Sequence, residues 1–389
     1  MRVPWLASLL ICLVSSYAGA EINFSGYLKS YALAQEEVPV LGVDETSYHS
    51  QNSFRLMFDG FHESLSWQIH YEISPVFNSS GLVIDNRTVG QEGGAWRITD
   101  IKTNLNDPDD KNPIIQNLDR FNVQWSLAKV DVTLGRQPIS FGAARVINPT
   151  DVFLPFDVRV FSQEYRVGVD AIRFQTPLGD LGEFDAGFIW GEDENAAFIQ
   201  LTINAKGNDF SMVALEAGEQ KLWGAGLRRA FGPVGFWFEA AKSTGIQEYW
   251  RASSGFDIAF SQNILGQIEY HYNEAGSRNP RKYFAISSTP AYTTGGVFLF
   301  GTRYLIPGLR FTVSPILTID AFAVMNLDDD SRFYTLTAEL NISDNIYSDF
   351  GIYLNKGEEL DLSVFRLPKV NSEFGTLPSL VFVSLRYYF

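Results

Sequence analysis

Apolar and polar residues alternate with a period of two along much of this chain, most clearly over its last eleven residues, SLVFVSLRYYF. Counting back from Phe389 in steps of two, every residue as far as Val381 is apolar or aromatic. The opposite face carries Tyr388, Arg386 and Ser384. This alternation is typical of a β-strand, and about 9–11 residues suffice for a tilted strand to cross a bilayer. We therefore expect a transmembrane strand here, in preference to the edge strand of a soluble β-sandwich.

The same alternation recurs throughout the upstream sequence. In residues 65–76, Trp67 and other apolar residues share one face, while Gln68, His70 and Glu72 share the other. Residues 118–128 repeat the pattern with Trp125 in a matching position, as the interfacial aromatic girdle of a membrane barrel requires. The pattern predicts strands near 22–34, 50–61, 65–76, 118–128, 129–137, 166–175, 182–190, 196–206, 208–217, 220–230, 234–242, 248–260, 264–273, 295–305, 309–326, 331–342, 345–355 and 379–389.

The fold class is therefore predicted to be all-β. We expect a transmembrane antiparallel β-barrel of about 18 strands, with about 16 as the alternative count, and with one loop folded inward. Alternate connections are short, as expected for periplasmic turns, at 62–64, 128, 176–181, 207, 231–233, 261–263, 306–308 and 343–344. The others include the long stretches 77–117, 138–165, 274–294 and 356–378. An even strand count places both termini on the periplasmic side. Pro315, inside the longest predicted strand, predicts an irregularity there.

Residues 1–20 have the organisation of a secretory signal peptide. Arg2 provides the positive n-region, an apolar stretch follows, and Ala18-Gly19-Ala20 fits a small-residue cleavage site. We therefore divide the chain into a signal peptide, 1–20, and an outer-membrane β-barrel, 21–389. Cys12 is the chain's one cysteine. A mature chain from Glu21 would thus hold no disulfide, no cysteine-ligated zinc and no CxxCH haem attachment.

Composition narrows the function classes. The formal net charge of −15 argues against nucleic acid as a partner. After residue 20 no apolar run reaches the length of about 18 residues that a helical membrane span requires. Acidic loop clusters at 107–110, 192–194 and 328–330 are expected to be solvated rather than to hold Ca²⁺ or Mg²⁺. We predict no metal and no cofactor.

One connection is a candidate for narrowing the pore. A barrel of 16 or 18 strands encloses an aqueous channel, so a narrow pore needs an inward loop or large lumen side chains. The connection from Gly135 to Tyr165 is unusually apolar for an exposed loop. We expect this loop, 136–166, to fold against the inner wall and plug or narrow the pore, with a purely structural latch as the alternative. The residues predicted to shape the constriction are Arg136, Gln137, Arg145, Asn148, Asp151 and Arg159.

The start of this loop resembles a known family. Gly135-Arg136-Gln137, then Phe141-Gly142, then Asn148-Pro149-Thr150-Asp151 is similar to the GRQ…(W/F/Y)G…NP.D stretch of alginate-export-like barrels and related outer-membrane porins. The resemblance implies a wide barrel of monomeric type that passes a specific solute or a polyanion. Alginate exporters have a strongly arginine-lined lumen, whereas the predicted inward positions here mix both charge signs. This difference in lumen charge puts the substrate in question, but not the barrel architecture.

Inward-facing positions of the predicted strands define the lumen wall. The members expected to act on solutes are Arg55, Glu72, Arg120, Glu269, Asp320 and Arg386. Bases concentrate in the first five strands and in the loop that follows, while acids dominate the later strands. Such segregation would set up a transverse field that favours polar or zwitterionic solutes. The alternative is that these charges pair with one another and stiffen the wall.

These features together predict a passive porin for small hydrophilic solutes in the outer membrane of a Gram-negative cell. The alternatives are a structural barrel that sheathes a partner, such as a periplasmic or outer-membrane cytochrome, and a substrate-specific exporter. The sequence carries no nucleophile signature, so an enzyme is not predicted. Expected partners are outer-membrane lipid, lipopolysaccharide and the barrel-assembly machinery, whose C-terminal signal Tyr387 and Phe389 resemble. The oligomeric state is left open between monomer and trimer.

Overall fold

The computed structural model of this protein describes residues 21–37, 46–79, 95–99, 101, 104–107, 110–153, 164–360 and 369–389. The predicted signal peptide, 1–20, lies outside the described residues, and so does Arg159 in the middle of loop 136–166. Within the described ranges, no helix is both long enough and apolar enough to cross a membrane.

The described chain forms one closed sheet of 18 antiparallel strands. Each strand pairs with its neighbours in chain order, and β18 pairs with β1 to close the barrel. The predicted all-β antiparallel barrel of 18 strands is thus confirmed. The strands are β1 (Glu21–Gln35), β2 (Ser47–His62), β3 (Leu65–Asn78), β4 (Ile114–Leu127), β5 (Val130–Gln137), β6 (Val169–Leu178), β7 (Gly182–Trp190), β8 (Ala196–Ala205), β9 (Asn208–Ala217), β10 (Gln220–Phe231), β11 (Val234–Thr244), β12 (Tyr249–Ser261), β13 (Ile264–Asn273), β14 (Arg303–Ser314), β15 (Leu317–Asn326), β16 (Arg332–Ser343), β17 (Ile346–Lys356) and β18 (Leu380–Tyr388).

The C-terminal strand closes the barrel with the predicted alternation of side chains. Val383, Leu385 and Tyr387 are exposed on the outer surface, whereas Ser384 is buried inside. Beyond the last paired residue, the backbone of Phe389 exchanges two hydrogen bonds with that of Gly26, at 2.9 and 3.1 Å. Because β1 and β18 satisfy each other's backbone groups, the described sheet has no open edge.

Two kinds of connection link the strands. At one end, short turns join β2 to β3, β4 to β5, and so on as far as β16 to β17; we call this the short-turn end. The opposite end carries the longer connections, which include short helical segments. These segments are Pro280–Lys282, Tyr283–Ile286, Pro290–Thr293 and Phe374–Thr376.

One predicted turn was wrong. The sequence pattern placed a turn at 306–308, but β14 runs through these residues and the turn lies at Pro315-Ile316. Pro307 pairs with Ile268 of β13, while the ladder towards β15 is interrupted beside it. A proline lacks the N–H that a central strand donates on one side, so this gap accommodates it. Pro315, which was predicted to disturb a strand, lies in the turn instead.

Long connections pack their apolar residues inside the barrel. Ile139, Phe141 and Phe153 of loop 136–166 are buried against β6 to β11. Ile147 of the same loop joins a second cluster with Leu299 and with Phe374 of the last long connection. The described apolar side chains of this loop therefore lie against the inner wall.

Candidate pore constriction

Loop 136–166 leaves the wall after β5 and reaches strands β11 to β13. Glu239, which projects inward from β11 and is 1% exposed, holds this part of the loop. Its carboxylate accepts hydrogen bonds from the backbone N–H groups of Ala143 at 2.5 Å, Ala144 at 2.8 Å and Thr150 at 2.8 Å. The Thr150 hydroxyl donates a fourth bond at 2.7 Å. A buried carboxylate requires such donors to offset its lost hydration.

A second buried carboxylate holds the next stretch of the loop. Glu269 of β13 accepts from the backbone N–H groups of Arg145 at 3.2 Å, Val146 at 3.1 Å and Ile147 at 2.9 Å. The indole N–H of Trp237 donates to the same carboxylate at 2.7 Å. The described loop segment therefore spans the interior from β5 to β13 and is fixed there through its main chain.

The motif residues shape the loop itself. Gly142 has a φ of +141°, and a Cβ at this position would collide with the side chain of Asn148. The Asn148 carbonyl accepts from the backbone N–H of Asp151 at 3.2 Å, which closes a turn. Asp151 is buried and forms an ion pair with Arg166 at the far end of the loop. Burial raises the pKa of the Asp151 carboxyl to about 6, although Arg166 lowers it.

The returning end of the loop is attached to the opposite side of the barrel. Lys29 of β1 forms an ion pair with Glu164 at 2.5 Å, and the Tyr388 hydroxyl donates to the same carboxylate at 3.0 Å. The Tyr165 ring lies 4.3 Å from the guanidinium carbon of Arg55. Since one described part of the loop contacts β11 to β13 and the other contacts β1, β2 and β18, the loop is attached to two distant sectors of the wall.

A network of buried charges supports this attachment. Arg55 is 1% exposed and donates to Asp119 at 2.8 Å and to Glu72 at 3.2 Å. Glu72 also accepts from the hydroxyls of Ser53 at 2.6 Å and Tyr27 at 3.1 Å. The lumen residues predicted here, Arg55 and Glu72, thus meet, but both are buried rather than exposed to the lumen.

Asp119 is a member of this network that the sequence pattern did not indicate. The pairing of β3 with β4 shifts by one residue between His70 and Tyr71, so Asp119 is an extra residue in β4. Such a bulge lets two successive side chains face one side of a sheet. Asp119 and Arg120 are both buried, and they form an ion pair at 3.1 Å. A strict period of two would have assigned Asp119 to the lipid face.

Arg136 and Gln137, both predicted to line the constriction, are placed otherwise. Arg136 is the cross-strand partner of the outward-facing Phe121, and its guanidinium binds Asp170 at 2.7 Å. It also donates to the Thr99 carbonyl at 2.9 Å, so segment 95–99 covers it. The Gln137 amide is buried and donates to the carbonyls of residues 133, 135 and 171. Both side chains fix the base of the loop instead of facing the pore.

Arg145 is the predicted constriction residue, among those described, whose side chain is open to the lumen. Its side chain is 57% exposed. The guanidinium forms an ion pair with Asp257 of β12 at 2.6 Å and lies 5.6 Å from the Trp237 ring centre. Asp151 is buried, Asn148 is half-buried, and Arg159 lies outside the described residues.

The remaining predicted wall residues form cross-strand ion pairs. Asp320 binds Arg310 of the adjacent strand at 2.7 Å. Arg386 binds Glu339 at 2.5 Å and Asp349 at 2.8 Å. The buried bases of the first strands are paired as well, which agrees with the expectation that lumen charges stiffen the wall. In the part of the chain that the structure describes, no group of three or more potential metal ligands converges.

The fold is that of outer-membrane porins. OccAB4 of Acinetobacter baumannii superposes with a TM-score of 0.59 at 8% identity, covering 95% of this chain and 98% of that chain. OccK5 (OpdH) of Pseudomonas aeruginosa gives a TM-score of 0.57 at 10% identity, with coverages of 94% and 98%. A triple variant of Rh. blastica porin gives 0.50 at 10% identity, with coverages of 95% and 100%. No family model and no curated protein matches the sequence, so the resemblance to alginate-export-like barrels remains a prediction.

Proposed function

We propose that this protein is an outer-membrane porin, a passive channel for small hydrophilic solutes that loop 136–166 narrows. The observation that carries the proposal is the attachment of this loop across the interior, through Glu239 and Glu269 on one side and Lys29 on the other. A barrel of 18 strands is wide enough to enclose water, and a loop fixed across it reduces that width. Arg145 and Asp257 would then line the constriction.

The exposed outer surface supports the proposed location. Large apolar side chains such as Phe58, Trp223 and Phe350 are exposed around the barrel, where a membrane would cover them. With the predicted signal peptide, this favours an outer-membrane barrel whose termini are periplasmic and whose assembly uses Tyr387 and Phe389. The protein's own loop occupies interior space that a sheathed partner would need, so the channel is favoured over the sheath.

Single-channel recording tests the proposal. We expect the purified, refolded barrel to conduct in a planar bilayer, and a variant that lacks about residues 140–160 to conduct more. A heat-denatured preparation is the control for adventitious leaks. If the deletion variant conducts and the native barrel does not, the loop plugs the channel. No conductance from either folded barrel would contradict the porin function and favour the sheath.

A further inference from the structure

Charged side chains face the lumen near the short-turn end, and most of them are matched across adjacent strands. Arg173 of β6 binds Asp185 of β7 at 2.6 Å, and Arg310 binds Asp320 in the same way. Arg228 of β10 is the direct cross-strand partner of Asp209 of β9. In each pair one acid offsets one base, so these pairs contribute no net charge to the lumen.

The other charges at this end do not balance. Arg386 binds two carboxylates, those of Glu339 and Asp349, which leaves one negative charge in excess. Asp59 of β2, Asp131 of β5 and Glu183 of β7 are also acidic. Among the described residues, none of these three carboxylates forms an ion pair with a lysine or arginine. Asp59 accepts from the Gln68 amide at 3.0 Å and lies 3.0 Å from the His70 imidazole, which offsets its charge only when His70 is protonated. Glu183 accepts from the Gln175 amide at 3.2 Å.

These three acids face the lumen. Asp131 is the cross-strand partner of Ser126, two residues from the inward Gln124, while the alternate residue Leu134 is exposed outside. Glu183 shares the inward face of β7 with the buried Asp185. Glu21 also points into this region, but cleavage after Ala20 would give it a positive α-amino group. We therefore do not count it as an excess charge.

A cavity of about 680 Å³ lies beside Asp59 at this end of the barrel. Its lining includes the side-chain amides of Asn23, Gln68, Asn122 and Gln124. Among the described lining residues there is no lysine or arginine. The cavity thus combines a negative charge with side-chain amides that donate and accept hydrogen bonds. This combination suits a hydrated cation that also carries hydrogen-bonding groups.

We propose that this acidic sector of the lumen makes the channel cation-selective and that its preferred solutes are small organic cations with ammonium or guanidinium groups. The proposal rests on the channel function proposed above. Charges of one sign inside a low-dielectric wall focus the field and raise the local concentration of counter-ions. At about 0.1 M salt the Debye length is about 10 Å, so each carboxylate influences ions that pass within about that distance.

Reversal potentials across a salt gradient test this inference. We expect the native channel to show a cation-to-anion permeability ratio above one. The triple variant D59N/D131N/E183Q should shift this ratio towards one, because it removes three of the four excess charges and retains side-chain size. The matched control, E192Q/D193N/E194Q, neutralises three exposed acids in the β7–β8 connection at the opposite end, and its ratio should stay native.

Solute uptake provides a second readout that needs only the native protein. In liposome swelling, free lysine should enter faster than free glutamate of similar size. A conducting native channel that is non-selective or anion-selective, or a triple variant that keeps the native ratio, would overturn the inference while leaving the channel function intact. A barrel that does not conduct at all would instead remove the channel function, and this inference with it.

Discussion

At the scale of single residues, two buried glutamates determine where the loop lies. Glu239 and Glu269 alternate correctly with outward apolar residues, so the sequence predicts that they face inward. The pattern contains no information on their donors, because these donors are backbone groups about 90 to 120 residues earlier in the chain. Contacts of this kind depend on the closed barrel, whereas alternation is a property of each strand alone.

Replacing Glu239 by glutamine should loosen the loop without unfolding the barrel. The substitution removes the negative charge. It also places a side-chain N–H beside backbone N–H groups that need an acceptor. Hydrogen bonds to charged groups contribute about 1.5–3 kcal/mol each, so amide hydrogen exchange at residues 143–150 should accelerate roughly ten- to hundredfold. Mass spectrometry of the exchanged peptides measures this. E216Q, whose side chain is 60% exposed, is the control, and native exchange in E239Q would refute the assigned role.

At the scale of elements, the sequence predicts the strands better than their irregularities. Alternation predicts the correct number of strands because each must present one apolar face to lipid, but the predicted strands 295–305 and 309–326 do not match β14 and β15. It fails at Pro307 because a Pro-Gly pair is a common turn signal, and here a gap in the β14–β15 ladder accommodates the proline. It also fails at Asp119, where the bulge reverses the alternation. Both failures depend on the neighbouring strand, which a single segment cannot reveal.

Single cysteines distinguish the two turn positions. The chain beyond residue 20 contains no cysteine, so I316C and I306C each carry one reactive thiol. Ile316 is 55% exposed in the turn, whereas Ile306 is fully buried within β14. A water-soluble maleimide should label I316C rapidly in the purified barrel and should label I306C only after denaturation. The reverse order of reactivity would contradict the turn at Pro315-Ile316 and support the predicted turn at 306–308.

At the scale of the whole molecule, the two ends of the barrel differ in character. Acidic charges without a basic partner lie near the short-turn end, and the opposite end is packed with apolar residues of the long connections. The sequence predicts that short and long connections lie at opposite ends, because connection lengths alternate along the chain. It does not predict how the loops fill the interior, since those contacts join β1, β5, β13 and the last connection in three dimensions.

The proposed orientation can be measured in cells. If the short turns are periplasmic, a membrane-impermeant maleimide too large for the pore should label D193C, in the β7–β8 connection, on intact cells. I316C should react only after the outer membrane is permeabilised. Labelling of I316C on intact cells, with D193C protected, would show that the barrel is inserted the other way round.

The attachment of the loop has a consequence for how such a protein changes over generations. Glu239 and Glu269 bind main-chain N–H groups, and every residue except proline supplies one. A mutation at Arg145 can therefore change the side chain exposed inside the barrel while the path of the loop stays the same. The path of the loop and the chemistry of its exposed side chain can then change independently. A change of preference therefore does not require a change of architecture.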